Sequence, residues 1–334
     1  MKFLPRVLCV LLAGFAALLF GTAQAEVTLL NVSYDVTREL YKDINPAFVA
    51  HWTKTTGERI AVDQSHGGSS KQALSVANGL EADVVTMNQA TDIDLLARKG
   101  LLPADWRKRL PHDSAPYTST TIFLVRKGNP KNIRDWDDLA KPGIAVIVPN
   151  PKTSGNGRYT YLAAWGYAVK KGGDEAAARD FVARLFRNVP VLDGGGRGAT
   201  TTFTQRGIGD VLATFENESF LIQRELGGEK FEVVYPSISI EAEAPVAMVD
   251  KVVERKGSRK QAQGYVEFLY SPAGQDIIAQ HFFRPRLDVV FQKYAGQFKS
   301  IRLFTVDEVF GSLEQAQRIH FNEGGVFDQI MVNR

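Results

Sequence analysis

The sequence predicts an α/β fold of two lobes, each built on a mostly parallel sheet covered by helices. Three observations predict it. From Val27 onward, short apolar runs alternate with amphipathic segments, the pattern of repeated βα units. The series starts afresh after "APYTSTTIFLVRKGNP" (115–130), so there are two α/β halves. The chain has 334 residues, 44% hydrophobic and 23% charged, an ordinary composition with enough length for about two domains.

In chain order, the first 25 residues stand apart. Lys2 and Arg6 precede the uncharged run "VLCVLLAGFAALLF", and "GTAQA" follows with small residues at Ala23 and Ala25. This is the pattern of a cleaved secretory signal, too short for a comfortable membrane span. The expected mature chain is exported to a periplasm-like space. Cys9, the single cysteine, lies within that signal, so neither a disulfide nor a thiol nucleophile is expected, and no lipid-anchoring cysteine stands at the cleavage point. Without Lys2 and Arg6 the chain carries 38 basic and 37 acidic residues. That balance gives no general attraction to nucleic acid or to a membrane surface, so any affinity for anions must be local.

The first series reads "VTLLNVSYD" (strand), "TRELYKDINPAFVAHWTK" (helix), "RIAVDQS" (strand), "SSKQALSVANGL" (helix), "ADVVTMN" (strand) and "TDIDLLARKG" (helix). The second reads "IAVIVPN" (strand), helices through "YLAAWGYAVKK" and "DEAAARDFVARLF", then "VPVLD", "DVLATFE" and "FEVVYP". Beyond it, "APVAMVD" is a strand and "SRKQAQGYVEFLYSPAGQDIIAQHFF" reads as helices broken at Pro272, because proline ends a helix or begins one. No internal repeat or low-complexity tract is found.

Ligands of open parallel sheets bind beyond the carboxyl ends of the strands. Four such loops share one chemistry: a strand, a small-residue turn, then a helix start. "SYDVTREL" places Asp35, "QSHGGSSKQAL" places Ser69, "NPKTSGNGR" places Ser154, Gly155 and Asn156, and "LDGGGRGATTTF" places Gly196. A helix N-terminus has unpaired N–H groups at the positive end of its dipole and is therefore an anion site. None of the loops has the Gly-Lys-Ser/Thr of a nucleotide P-loop.

These motifs, together with "FLVRKGNPKNIRDWDDL" and "SPAGQ", strongly resemble the periplasmic sulfate/thiosulfate-binding proteins of ABC importers, over the whole of Glu26–Arg334. The resemblance implies a two-lobed type II periplasmic binding protein with the ligand enclosed between lobes. It implies two crossings, near Ser119 and Glu243. The divisions are a signal over 1–25, lobe 1 over 26–118 and 244–300, lobe 2 over 119–243, and a C-terminal helical segment, 301–334, packing on the lobes. It further implies no cofactor and no metal, a monomer, sulfate or thiosulfate as ligand, and a membrane permease as partner. The implied ligand contacts are the backbone N–H around Asp35, Ser69, the Ser154 hydroxyl, and the N–H groups of Gly155, Asn156 and Gly196. Two positions depart from the family pattern. Asn156 stands where glycine is frequent, which is harmless if only its N–H is used. Phe215 stands where many sulfate binders have a tryptophan whose indole donates to the anion, and phenylalanine has no such donor.

Molybdate and phosphate are alternative ligands. A secreted serine hydrolase is a remote one, since no G-x-S-x-G elbow is present. Histidines 51, 66, 112, 281 and 320 are scattered, with no zinc motif. Tyr159 and Tyr161 lack the partners that a ferric-ion binder would need. Arg158 and Arg197 look like anion ligands, but pairing with carboxylates is the favoured expectation for both.

Overall fold

In the computed structural model, which describes residues 27–226 and 228–332, β1 (Val27–Tyr34) passes through a 3-10 turn (Asp35–Thr37) into α1 (Arg38–Thr56). The expected secretory signal lies outside the described residues. Next come β2 (Ile60–Gly67), α2 (Ser69–Ala77), β3 (Val84–Thr86), α3 (Ala90–Arg98), the single turn α4 (Pro111–Ser114) and the long β4 (Tyr117–Arg126). The chain continues through α5 (Trp136–Leu139), β5 (Val146–Pro149), α6 (Gly155–Lys170), α7 (Glu175–Arg187), β6 (Leu192–Asp193), α8 (Gly196–Thr204), β7 (Val211–Phe215) and α9 (Glu216–Leu226). It then runs through β8 (Phe231–Val234), β9 (Ile238–Glu243), β10 (Val246–Met248), α10 (Asp250–Lys256), α11 (Arg259–Phe268), α12 (Pro272–Gln280), β11 (Arg284–Pro285) and α13 (Asp288–Lys293). The C-terminal part is β12 (Arg302–Phe304), α14 (Val306–Phe310), α15 (Leu313–Ala316), a π-helical turn (Gln317–Phe321) and α16 (Val326–Val332).

Two sheets form two lobes. The first has the order β10-β3-β1-β2, with β1 parallel to both β2 and β3 and β10 antiparallel at the edge. The second runs β12-β9-β4-β7-β5-β6, with β8 and β11 also pairing with β4. It is parallel at β7-β5-β6 but antiparallel wherever β4 is a partner, so the expected parallel character is diluted here. The reason is directional. The chain enters this lobe along β4 and leaves along β9, so the two strands run oppositely, with Ser119 facing Ala242 and Thr118 facing Glu243.

Helices cover both sheets in the way their sequences dictate. In α1, Leu40, Ile44, Phe48 and Trp52 recur every fourth residue and are all buried, one apolar stripe against the first sheet. Helix α6 is buried on nearly all sides, from Gly155 to Tyr167, because sheet, α7 and C-terminal segment enclose it. Pro272 opens α12 at its first helical position, where its missing N–H has no partner to lose, and Ser271 caps that end by accepting from the Gly274 N–H at 3.1 Å. The C-terminal segment is less helical than expected: β12 extends the second sheet beside β9, α16 packs on α7, and α15 reaches α3 of the first lobe. Among the described residues no helix is long and apolar enough to cross a membrane.

Candidate functional site

Parallel strands of one sheet end on one side, so the loops after β1 and β2 gather on the first lobe. Those after β5, β6 and β7 gather on the second, and the two groups face each other in contact. A β-carbon on Gly68 would lie 2.7 Å from the Thr153 carbonyl oxygen and 2.9 Å from that of Gly194. One on Gly155 would run into the Asn88 side chain, and one on Gly195 into the Asp35 carboxylate. One on Gly196 would meet Val36 at 2.7 Å and the Asn156 amide at 3.2 Å. These contacts bring Asp35, Ser69, Ser154, Gly155, Asn156 and Gly196 to one lobe-to-lobe seam; all are buried except the half-buried Asp35.

On the second lobe, Ser154 is the N-cap of α6. Its backbone is extended, its carbonyl accepts from the Arg158 N–H at 3.0 Å and its hydroxyl oxygen from the Gly157 N–H at 3.4 Å. The N–H groups of Gly155 and Asn156 precede the first intrahelical bond and face outward at the positive end of a 16-residue helix. The Asn156 side chain is tied to its own lobe, its amide donating to the Thr214 hydroxyl at 2.9 Å beside Gly196, which leaves the backbone N–H as its donor without a partner in the helix. Gly196 is the first residue of α8, with Gly195 as an extended N-cap. Phe215 ends β7, buried, with its ring 6.0 Å from that of Tyr159 in an edge-on contact. The phenyl ring has no hydrogen-bond donor.

On the first lobe, the Asp35 carboxylate crosses the seam and accepts from the Arg197 N–H at 3.1 Å, an acid at the start of α8. Burial pushes its pKa above the usual carboxylate value, while the amides of Arg197 and Gly196 and the Arg197 charge pull it back. Ser69 begins α2. Its hydroxyl donates to Asp92 Oδ2 at 2.5 Å and accepts from the Asn88 N–H at 2.9 Å. Its one hydroxyl proton is therefore engaged, and its backbone N–H in the first turn of α2 is the donor left over.

Both arginines beside the loops are paired across the seam, in accord with the expectation for them. Arg158 of α6 is 4% exposed and reaches the first lobe, where it meets Asp92 at 3.3 Å, Gln89 at 2.8 Å and the Ser70 hydroxyl. Arg197 of α8 pairs with Glu39 of α1 and, at 3.7 Å, with Glu218 of its own lobe. Glu218 is fully buried, takes the Thr200 hydroxyl at 2.7 Å, and has its pKa pushed up to about 7 by burial, against the pull of Arg197. His66 bonds the Ser33 hydroxyl at 2.7 Å and is held neutral by burial, with its pKa pushed down to about 4. Asp92, Gln89, Glu39 and Glu218 escaped the sequence reading. Asp92 and Glu39 resemble ordinary first-turn helix acids, and Glu218 lies in a fully buried "ENES" that looks like solvent-facing polar sequence. Among the described residues no group of three or more histidine, cysteine or acidic side chains could hold a metal ion.

The seam is narrow. Two cavities of about 470 Å³ flank it, one near the crossing strands lined by Tyr159, Glu241 and Glu243, the other between α2, α3 and the C-terminal segment, and neither is lined by Ser69, Ser154 or Gly196. A ligand held among these amides must be compact.

The sequence profile of the family described as bacterial extracellular solute-binding protein matches residues 29–284. A thiosulfate-binding protein of Pseudomonas aeruginosa is 60% identical over 321 residues, 96% of each chain. A sulfate-binding protein of Salmonella typhimurium is 57% identical over 320 residues, 95% of this chain and 97% of that one. Among solved structures, the sulfate-binding protein of Mycobacterium tuberculosis superposes with a TM-score of 0.79 at 33% identity, covering 86% of this chain and 98% of the other. The two facing lobes, the seam of helix starts and these likenesses lead to one assignment: the chain belongs to the bacterial extracellular solute-binding protein family.

Proposed function

We propose that the protein is a periplasmic binding protein, monomeric and without catalytic activity, that encloses sulfate or thiosulfate between its lobes and delivers it to the permease of an ABC importer. One observation carries the reading. The first turns of α2, α6 and α8 meet at a single buried seam while the two nearby arginines are already engaged by carboxylates. A dianion stripped of water is costly to bury, and several preorganised dipoles offset that cost without a counter-ion whose own desolvation must be met. Closing the lobes supplies dipoles from both sides, so the ligand shifts the population toward the closed form that an importer can recognise. The antiparallel ribbon of β4 and β9 near Ser119 and Glu243 is the proposed hinge. Relatives named for each anion support both as ligands. Phe215, lacking the indole donor, favours the larger and softer terminal sulfur of thiosulfate, which is expected to bind at least comparably to sulfate.

The test is calorimetric titration with sulfate, thiosulfate, molybdate and phosphate. Near neutrality phosphate carries a proton and sulfate does not, so a site of donors leaves that O–H unpaired, at about 1–3 kcal/mol. Sulfate is expected to exceed phosphate by roughly tenfold or more. The Asp35 carboxylate is the one acceptor of this kind among the proposed contacts, and its Oδ2 is already engaged by the Arg197 amide. Equal affinity for sulfate and phosphate at pH 7 would mean that Asp35 accepts the phosphate proton, and would sink the sulfate-type reading.

Ser154→Ala distinguishes ligand from cap. If the hydroxyl donates to the anion, its loss weakens binding by about 1.5–3 kcal/mol, about 10- to 150-fold. If it only caps α6, stability falls by about 1 kcal/mol and affinity is unchanged. Calorimetry beside thermal unfolding separates the two, and the first outcome is expected.

A further inference from the structure

We infer that the groove between α2, α3 and the C-terminal segment is a docking surface for an acidic segment of the membrane permease, formed only when the lobes are closed. The inference rests on the proposed importer role. The groove, about 470 Å³, has Leu74, Leu95 and Arg98 on one wall and Gln317, Arg318 and Asn322 on the other. The first wall belongs to the lobe of the four-stranded sheet. The second is fastened to the other lobe: Lys152 donates to the Phe321 carbonyl at 3.0 Å and pairs with Asp328 at 2.8 Å, and Tyr161 shares a 2.9 Å hydrogen bond with His320. The Arg158–Asp92 pair lies in the floor, so the groove is built over a lobe-to-lobe contact and loses one wall when the lobes part.

Its charge points to the occupant. Arg158 in the floor is taken by Asp92, but Arg98 and Arg318, both exposed, carry no ion pair or hydrogen bond among the described residues. They stand on opposite walls, one from each lobe, with Glu314 as the only other carboxylate in the lining. Leu74, 51% exposed, adds apolar surface beside them. The volume falls within the roughly 300–1,000 Å³ of sites that enclose drug-sized ligands, much more than a tetrahedral anion needs. A short acidic stretch with an apolar neighbour matches volume, charge and the leucines together. A partner that grips both walls binds the closed form alone, which couples docking to the presence of ligand.

The test uses the thiosulfate-loaded protein with its importer reconstituted in nanodiscs, and reads ATP hydrolysis against binding-protein concentration. Arg98→Glu combined with Arg318→Glu is expected to raise the concentration for half-maximal stimulation by on the order of tenfold, with a smaller rise for the paired alanine variants, because charge complementarity is reversed or removed. Calorimetric thiosulfate affinity should stay within about twofold, as rim charges outside the seam are screened from it. Stimulation at the wild-type concentration by the charge-reversed variant would overturn the surface. A second equivalent of thiosulfate bound by the wild type and lost in that variant would make the groove a small-anion site and overturn it likewise. Failure of the wild type to bind thiosulfate at all, read in the binding arm alone, would sink the importer role and this surface with it.

Discussion

Replacing Gly68 with alanine is expected to weaken sulfate and thiosulfate binding at least a hundredfold while both lobes stay folded. Gly68 has φ −57° and ψ 131°, which any residue adopts, so the backbone does not need glycine there. The space does. The added β-carbon would stand 2.7 Å from the Thr153 carbonyl oxygen and 2.9 Å from that of Gly194, both on the opposite lobe. The Thr153 hydroxyl donates to that same Gly194 oxygen at 3.0 Å, so the two carbonyls are braced against each other and neither gives way alone. The lobes must stop short. Hydrogen bonds weaken steeply once lengthened, and losing two of those from one lobe to a charged ligand, at about 1.5–3 kcal/mol each, amounts to about 3–6 kcal/mol. Within its own lobe the substitution is harmless, even stabilising by about 0.4–1 kcal/mol through the unfolded chain. Calorimetry, thermal unfolding without anion, and small-angle scattering with and without anion would read affinity, folding and closure separately. Wild-type affinity in a normally folded variant would show that the lobes do not close to this distance around the ligand.

This residue also marks what could be read from sequence and what could not. The βα alternation, the helix starts at Ser69, Ser154 and Gly196 and the break at Pro272 were legible because each is a local pattern: period, small-residue turn, capping chemistry. The strand β9, "ISIEAE", alternates cleanly and was missed, although it is the return path between the lobes and fixes the antiparallel part of the second sheet. Helix α9 was also missed, because Glu216, Asn217, Glu218 and Ser219 are polar yet fully buried, the first three held by Arg284, Ser119 and Thr200, partners far away in the chain or on other elements. The donor set of the seam was therefore legible as a set of loops. The carboxylates that pair with Arg158 and Arg197 across the seam, Asp92 and Glu39, were not, since pairing across a cleft leaves no trace in local sequence.

Arg158→Met is expected to lower anion affinity by about 3 kcal/mol, roughly 150-fold, without unfolding the protein. The Arg158–Asp92 pair joins the lobes with side chains only 5% and 6% exposed. Breaking a buried pair by removing one partner typically costs about 3–5 kcal/mol, because the other charge is left without compensation. Two features set the size and the place of that cost here. Asp92 keeps the Ser69 and Ser70 hydroxyls, at 2.5 and 3.0 Å, which holds the loss to the lower end. The loss also falls on closure rather than on folding, since opening the lobes returns Asp92 to water, and a protein that closes less readily binds less tightly by the same free energy. A second change checks the mechanism. With Asp92→Asn added to Arg158→Met no charge is stranded, one of the two serine hydroxyls keeps the amide oxygen as acceptor while the other can accept from the amide NH2, and most of the affinity should return, because deleting both members of a buried pair is often nearly neutral. If instead Arg158 were an anion ligand, the added asparagine would restore nothing, and the double variant would bind as weakly as Arg158→Met alone.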